Sequence, residues 1–149
     1  MTLSLKFDKF DIEYHPTCYW DHLTITDGDG TTLMAKSCGS PDGKDLPYYY
    51  PTPDVVVGGK SIGKSLPTVI TSKTDVVKLS FKTDYIVSRP GWKVTFTAAS
   101  TGEVIFQLTG FGAGCYIEMV TSYQQYNGIQ IHTMHMTLLL VPTCQVHLF

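Results

Sequence analysis

The sequence predicts an all-β fold, an antiparallel sandwich in which each sheet buries one face. Three observations carry this. Apolar and polar residues alternate in at least five short stretches, the period of a half-buried strand. Nine Tyr and seven Phe, with many Val, Ile and Thr, are residues that favour strands. No long stretch shows the apolar period of a helix.

The elements follow in order. Leu3, Leu5 and Phe7 alternate with Ser4 and Lys6, and Phe10 and Ile12 continue the alternation after a short kink. Leu23 and Ile25 alternate with Thr24 and Thr26. Asp27-Gly28-Asp29-Gly30 then reads as a hairpin turn, and Leu33 begins the return strand. Val77, Leu79 and Phe81 alternate with Lys78, Ser80 and Lys82, and Trp92, Val94 and Phe96 with Lys93, Thr95 and Thr97. Two segments break the pattern. Residues 40–65 are rich in Pro, Gly and Tyr and too long for an ordinary connection, so they read as a loop insertion. After Lys93 there is no further Lys or Arg, and the only acids are Glu103 and Glu118, which marks a change of module or origin. The expected division is a unit of residues 1–98 and a tail of residues 99–149.

At 149 residues the chain holds one domain's worth of core. A net charge of -2 offers no basic excess for phosphates, which argues against nucleic-acid binding. No apolar run is long enough for a membrane span. The N-terminus alternates apolar and charged residues instead of forming an apolar block, so no signal peptide is read there. Cys18, Cys38, Cys115 and Cys144 allow three full pairings, and none forms a C-x-x-C motif. Disulfides would place the protein in an oxidising compartment. The missing signal peptide points the other way, unless Met1 is not the true start.

Several motifs compete for a function. Gly58-Gly59-Lys60-Ser61-Ile62-Gly63-Lys64-Ser65 fits the phosphate-cradling pattern G-x-x-x-x-G-K-[ST]. That chemistry needs a helix opening at the loop. Pro67 and the β-branched run Thr68-Val69-Ile70-Thr71 favour a strand instead. A small nucleotide-binding protein using Lys64 and Ser65 is the alternative function. Gly59-Lys60-Ser61-Ile62-Gly63 is also a literal G-x-S-x-G, without the strand–turn–helix setting of a nucleophile elbow. His132, His135, Cys144 and His147 are zinc-type ligands at unusual spacing, read as incidental to an apolar segment. Asp27-Gly28-Asp29-Gly30 lacks the further calcium ligands of an EF-hand, with Thr31 fifth and Cys38 twelfth.

A longer constellation outranks these. It runs Phe10-Asp11-Ile12-Glu13, Cys18-Tyr19-Trp20-Asp21-His22-Leu23-Thr24-Ile25, Asp27-Gly28, Cys38-Gly39, Leu66-Pro67 and Ile70-Thr71-Ser72. Leu79-Ser80-Phe81-Lys82-Thr83-Asp84 and Gly91-Trp92-Lys93-Val94-Thr95-Phe96 complete it. In number and order these pieces resemble a CUB domain, from Leu3 to about Thr97. Against the family pattern the first two strands and a first cysteine pair are absent, and the loop before Leu66 is long. The Gly91-Trp92-Lys93 form resembles the CUB domains of complement-initiating proteases.

The resemblance implies a jelly-roll-like, CUB/spermadhesin-like β-sandwich with Cys18 bridged to Cys38. It implies a calcium site built from Glu13, Asp21 and Asp84, completed by backbone carbonyls near Ile86 and by water. Three gathered carboxylates repel unless a cation neutralises them, and calcium is a hard ion that takes oxygen ligands. It further implies a non-enzymatic, extracellular interaction module that receives a Lys or Arg of another protein at the calcium-site loops. Tyr14, His22 and Tyr85 are the expected rim of that contact. The absence of the family's N-terminal strands leads to one more expectation, that part of residues 103–141 packs against the sheets.

Overall fold

A computed structural model of the chain describes residues 2–42, 54–84, 86–99, 104–111, 116–126, 129–139 and 145–148. They form twelve strands: β1 (Leu3–Asp11), β2 (His22–Asp27), β3 (Thr32–Cys38), β4 (Val56–Val57), β5 (Lys60–Ser61), β6 (Ile70–Thr71), β7 (Val76–Lys82), β8 (Gly91–Ala98), β9 (Val104–Phe111), β10 (Tyr116–Tyr126), β11 (Ile129–Leu139) and β12 (Gln145–Leu148). Among the described residues there is no helix. One sheet has the order β12-β9-β8-β1-β6 and the other β11-β10-β7-β2-β3-β4-β5. Every strand pair in both sheets is antiparallel. This is the all-β sandwich read from the periodicity.

The core lies between the sheets. β1 sends in Leu3, Leu5, Phe7 and Phe10, and β8 sends in Trp92, Val94 and Phe96. From the facing sheet come Leu23, Ile25, Met34, Val77, Leu79 and Phe81. The kink in β1 is a bulge at Asp8: Phe7 pairs with Val94, but Lys9 pairs with Lys93. The extra residue lets Phe7 and Phe10 both face inward, where their rings meet edge-on at 5.4 Å. Asp8 itself accepts a hydrogen bond from the Thr95 hydroxyl.

The Asp27–Gly30 turn joins β2 to β3 as expected. Asp27 does more than turn the chain. Its carboxylate is buried and accepts from the amides of Gly28, Lys73 and Thr74 and from the Thr74 hydroxyl. Burial alone would raise its pKa, but these donors together hold it below the usual value.

The Gly58–Ser65 stretch is a hairpin and not a phosphate cradle. β4 and β5 pair around Gly58-Gly59, with φ of 58° and 79°. The Ser61 hydroxyl donates to Asp54, and β6 follows after Pro67 with no helix between. The nucleotide-binding alternative finds no support here.

Residues beyond 98 extend both sheets. β9 pairs with β8, and β12 with β9. β10 pairs with β7, and β11 with β10. At the β8–β9 seam Trp92 lies opposite Gly110. A Cβ at Gly110 would sit 2.6 Å from Trp92 Cζ2, so the indole needs the missing side chain. Cys115 and Cys144 lie outside the described residues, as does the segment from 43 to 53.

The seam yields a test. Gly110→Ala is expected to destabilise the fold by about 1–3 kcal/mol through overpacking. Trp92→Phe, which removes Cζ2, is expected to shrink that increment. Thermal unfolding of the two single variants and the double variant measures the coupling; additive effects would place the seam elsewhere.

Candidate metal centre

Glu13, Asp21 and Asp84 come together at one end of the sandwich, each offering an oxygen within 4.8 Å of the others. Three separate pieces of chain deliver them. Glu13 follows the end of β1. There Ile12 and Gly39 exchange backbone hydrogen bonds of 3.0 Å in each direction. Gly39 has φ 92°, and a Cβ on it would lie 2.0 Å from the Asp54 carbonyl oxygen, so only glycine fits.

Asp21 immediately precedes β2. The preceding loop is fixed at Cys18, which has φ 50° and bridges Cys38 with the Cα atoms 5.5 Å apart. This is the expected disulfide. His15 shapes the same loop. Its carbonyl accepts from the Cys18 amide, its Nδ1 accepts from the Thr17 amide at 3.1 Å, and its ring meets Trp20 at 4.6 Å. The Cys38-Gly39 pair is therefore a shared brace: Cys38 holds the Asp21 loop and Gly39 holds the Glu13 segment.

Asp84 follows β7. Because His22 pairs with Lys82, the residues just outside each strand end are neighbours. The Asp84 amide donates to Asp21 Oδ1 at 2.8 Å, and the Ile86 amide donates to Asp84 Oδ1 at 2.9 Å. Arg89 ties the far side of this loop to β1 through Asp11, at 2.8 Å.

The electrostatics are strained. Glu13 is 5% exposed and Asp21 2%. Glu13 Oε2 is buried with no hydrogen-bond partner. Burial first, then the charge of Asp84, pushes Glu13 up to about 7, against a smaller opposing pull from Arg89. Burial first also pushes Asp21 up to about 7; the Asp84 amide opposes this, and the charges of Glu13 and Asp84 add to it. A carboxylate left without donors is costly in such a place. The chemistry of the donor set, oxygens only and all anionic, fits a hard divalent cation.

The other sequence-read residues stand as follows. Ile86 is 86% exposed, and its amide joins the cluster through Asp84. Tyr14 is half-buried and packs against the core. His22 is half-buried on β2, and burial, helped by Lys36 and Lys82, holds its pKa below the usual value. Tyr85 lies outside the described residues. Sequence reasoning missed Tyr19, which is 74% exposed beside the site, and the Arg89–Asp11 tie. The Cys18-Tyr19-Trp20-Asp21 string was the available signal for the first. Nothing in the sequence marks the second.

Residues 1–52 match the family model described as CUB domain. The relatives include Tolloid-like protein 2 of Mus musculus, 24% identical over 135 residues, covering 87% of this chain and 11% of the relative. They also include Bone morphogenetic protein 1 of Xenopus laevis, 30% identical over 102 residues, covering 68% of this chain and 11% of the relative. Cubilin of Sus scrofa is 29% identical over 101 residues, covering 68% of this chain and 2% of the relative. The chain thus spans about a tenth or less of the length of these relatives. No solved structure matches it. The CUB resemblance carried by the sequence motifs stands, in family model, relatives and fold alike.

Two predictions follow from the geometry. Glu13 and Asp21 bind protons more tightly in the folded chain than in the unfolded one. Metal-free protein therefore loses stability as pH rises from the ordinary carboxylate range to about 7. His22, held below its usual 6.5, acts in the opposite sense inside this window, one imidazole against two carboxylates, and Asp27 does so only below its usual 3.8. Metal-free protein is expected to melt at a higher temperature at pH 5 than at pH 8, and Glu13→Gln to narrow that gap; a melting temperature rising from pH 5 to pH 8 would contradict the assignment. The second concerns the brace. Cys18 and Cys38 are 20 residues apart, and removing the bridge with Cys18→Ala/Cys38→Ala is expected to cost about 3 kcal/mol, read from denaturant midpoints.

Proposed function

We propose that this chain is a CUB-type, non-catalytic interaction module that holds one calcium ion with Glu13, Asp21 and Asp84 and uses the loops around it to bind another protein. The observation that carries the reading is the orphaned Glu13 Oε2 inside a cluster of three carboxylates. A calcium ion would supply that oxygen's missing partner and neutralise most of the cluster's charge. Backbone carbonyls near Ile86 and water are the proposed remaining ligands. The partner contact is a Lys or Arg placed against the acidic oxygens, a charge-assisted hydrogen bond.

The Cys18–Cys38 bridge supports an extracellular or secreted setting, since such bonds persist in oxidising compartments. The small share of the relatives that the chain covers supports reading it as one module of a larger protein. Within it, residues 1–98 would be the CUB-like unit, and residues 99–149 would supply the strands that flank it.

Calorimetric titration of calcium into metal-free protein at neutral pH tests the site. One calcium per chain is expected for the wild type, with at least a tenfold loss in Asp84→Ala. At calcium a hundredfold above its dissociation constant, the gain in stability should be about 2.7 kcal/mol. ATP should leave the melting temperature unchanged. Equal calcium binding by wild type and Asp84→Ala would remove the assignment.

A further inference from the structure

The two sheets end in four edge strands, β12 and β6 in one and β11 and β5 in the other. Three of them are blunted. β6 and β5 are two residues long, β5 begins at the exposed Lys60, and β12 has four residues. Short edges and charged edge residues are means by which sheets avoid pairing with other chains. β11 has neither. It runs for 11 residues, Ile129–Leu139, and each of them pairs with β10 on one side. Among the described residues no strand pairs with the other side. The run Ile-Gln-Ile-His-Thr-Met-His-Met-Thr-Leu-Leu contains no Lys, Arg, Asp, Glu or Pro. About half of its residues turn backbone N–H and C=O groups toward the open side, along an edge about 34 Å long.

We infer that β11 is a self-association edge: two copies of the chain pair their β11 strands antiparallel about a two-fold axis at Met134, joining their 7-stranded sheets into one. The choice of a second copy over a foreign strand rests on charge. A strand paired with its own copy sets like residues near one another across the axis, so a charged residue there repels itself. Charged residues make up 16% of the chain, yet none falls in β11. Centring on Met134 pairs the strand along its whole length, Ile129 with Leu139 of the second copy and Thr133 with His135 of the second copy. It also keeps the faces aligned. Met134 stands in register with Thr121 and through it with the core residue Val77, so Met134 of each copy stands on the core side. Thr133 and His135, one residue to either side, stand on the face away from the core. Among the described residues no other edge is longer than the four residues of β12, so assembly closes at two copies. One strand edge is a small interface, and the dissociation constant is expected to be roughly 10–100 μM.

Sedimentation equilibrium of the full chain, at concentrations that bracket this range, tests the pairing. The mass should rise from that of one chain to that of two. Thr133→Lys/His135→Lys sets lysine opposite lysine on both sides of the axis, and Thr133→Glu/His135→Glu does the same with glutamate. Each double variant alone is expected to dimerise at least about tenfold more weakly than wild type. An equimolar mixture of the two, in which lysine faces glutamate, should recover association at least as tight as that of wild type. Hydrogen exchange in the wild type gives a readout free of substitutions and decides the matter should either variant not fold. Amides within residues 129–139 should exchange more slowly as concentration rises, while those of β5 and β6 keep their rates. A chain that stays monomeric throughout leaves the edge to a strand of another protein and overturns the inference. So does a dimer that both variants form as tightly as wild type, or a mixture that associates no better than its components.

Discussion

Three carboxylates held within 4.8 Å of one another repel, and the end of the sandwich is built around keeping them there. A flexible loop would let the charges separate into water. Here each acid is denied that escape by a different device. Glu13 is pinned by the Ile12–Gly39 bridge, Asp21 by the Cys18–Cys38 disulfide, and Asp84 by the hydrogen bond its amide donates to Asp21 and by the Arg89–Asp11 tie beyond it. Two of the three devices meet at Cys38-Gly39. That dipeptide serves as a hub because the disulfide uses a side chain and the bridge uses the backbone. The raised affinities of Glu13 and Asp21 for protons measure how far the fold has gone against the preference of isolated carboxylates. A proton or a cation would relieve the same repulsion, so the two would compete for the site.

Much of this was legible in the sequence. The alternation of Leu3, Leu5 and Phe7, of Leu23 and Ile25, and of Val77, Leu79 and Phe81 marks which residues reach the core, because one face of each strand must be apolar. The three acids and the disulfide pair came from ordered motifs and not from periodicity. Local pattern cannot say that residues 13, 21 and 84 are neighbours. That depends on the register His22↔Lys82, a long-range pairing. For the same reason the Arg89–Asp11 tie and the Trp92–Gly110 seam were invisible. The phosphate-loop pattern is accidental for a related reason. Gly58, Gly59 and Gly63 adopt positive φ to turn a hairpin, and glycine spacing reports that backbone need whatever the loop binds.

The residues around the acids differ in how far they reach solvent. Tyr14 and His22 lie close to the acids in sequence and carry the chemistry usual at interfaces. Tyr14 spends part of its ring on the core, and His22 is half-buried, with burial first and then the charges of Lys36 and Lys82 lowering its pKa. The side chains that do face outward are Tyr19 and Ile86. An isoleucine exposed to that degree contributes little to folding, since its apolar surface stays in water. Its position is instead set by the amide it gives to Asp84.

The strands after residue 98 bear on the geometry of the acidic cluster through the backbone. The loop carrying Asp84 leaves β7 at Lys82 and re-enters the sheets at Gly91. Lys82 pairs with His22 on one side and with Tyr116 of β10 on the other, so the departure point is held on both edges. At the return, Gly91 pairs with Asp11 and the next residue, Trp92, pairs with Gly110 of β9. Without β9 and β10 both anchor strands would be sheet edges, with unpaired backbone and freedom to fray. A cluster that holds three like charges in place gains most from rigid anchors. Freedom of the Asp84 loop would be lost on binding and subtracted from affinity. On the proposed reading, the flanking strands would favour binding through the backbone, by removing that freedom in advance.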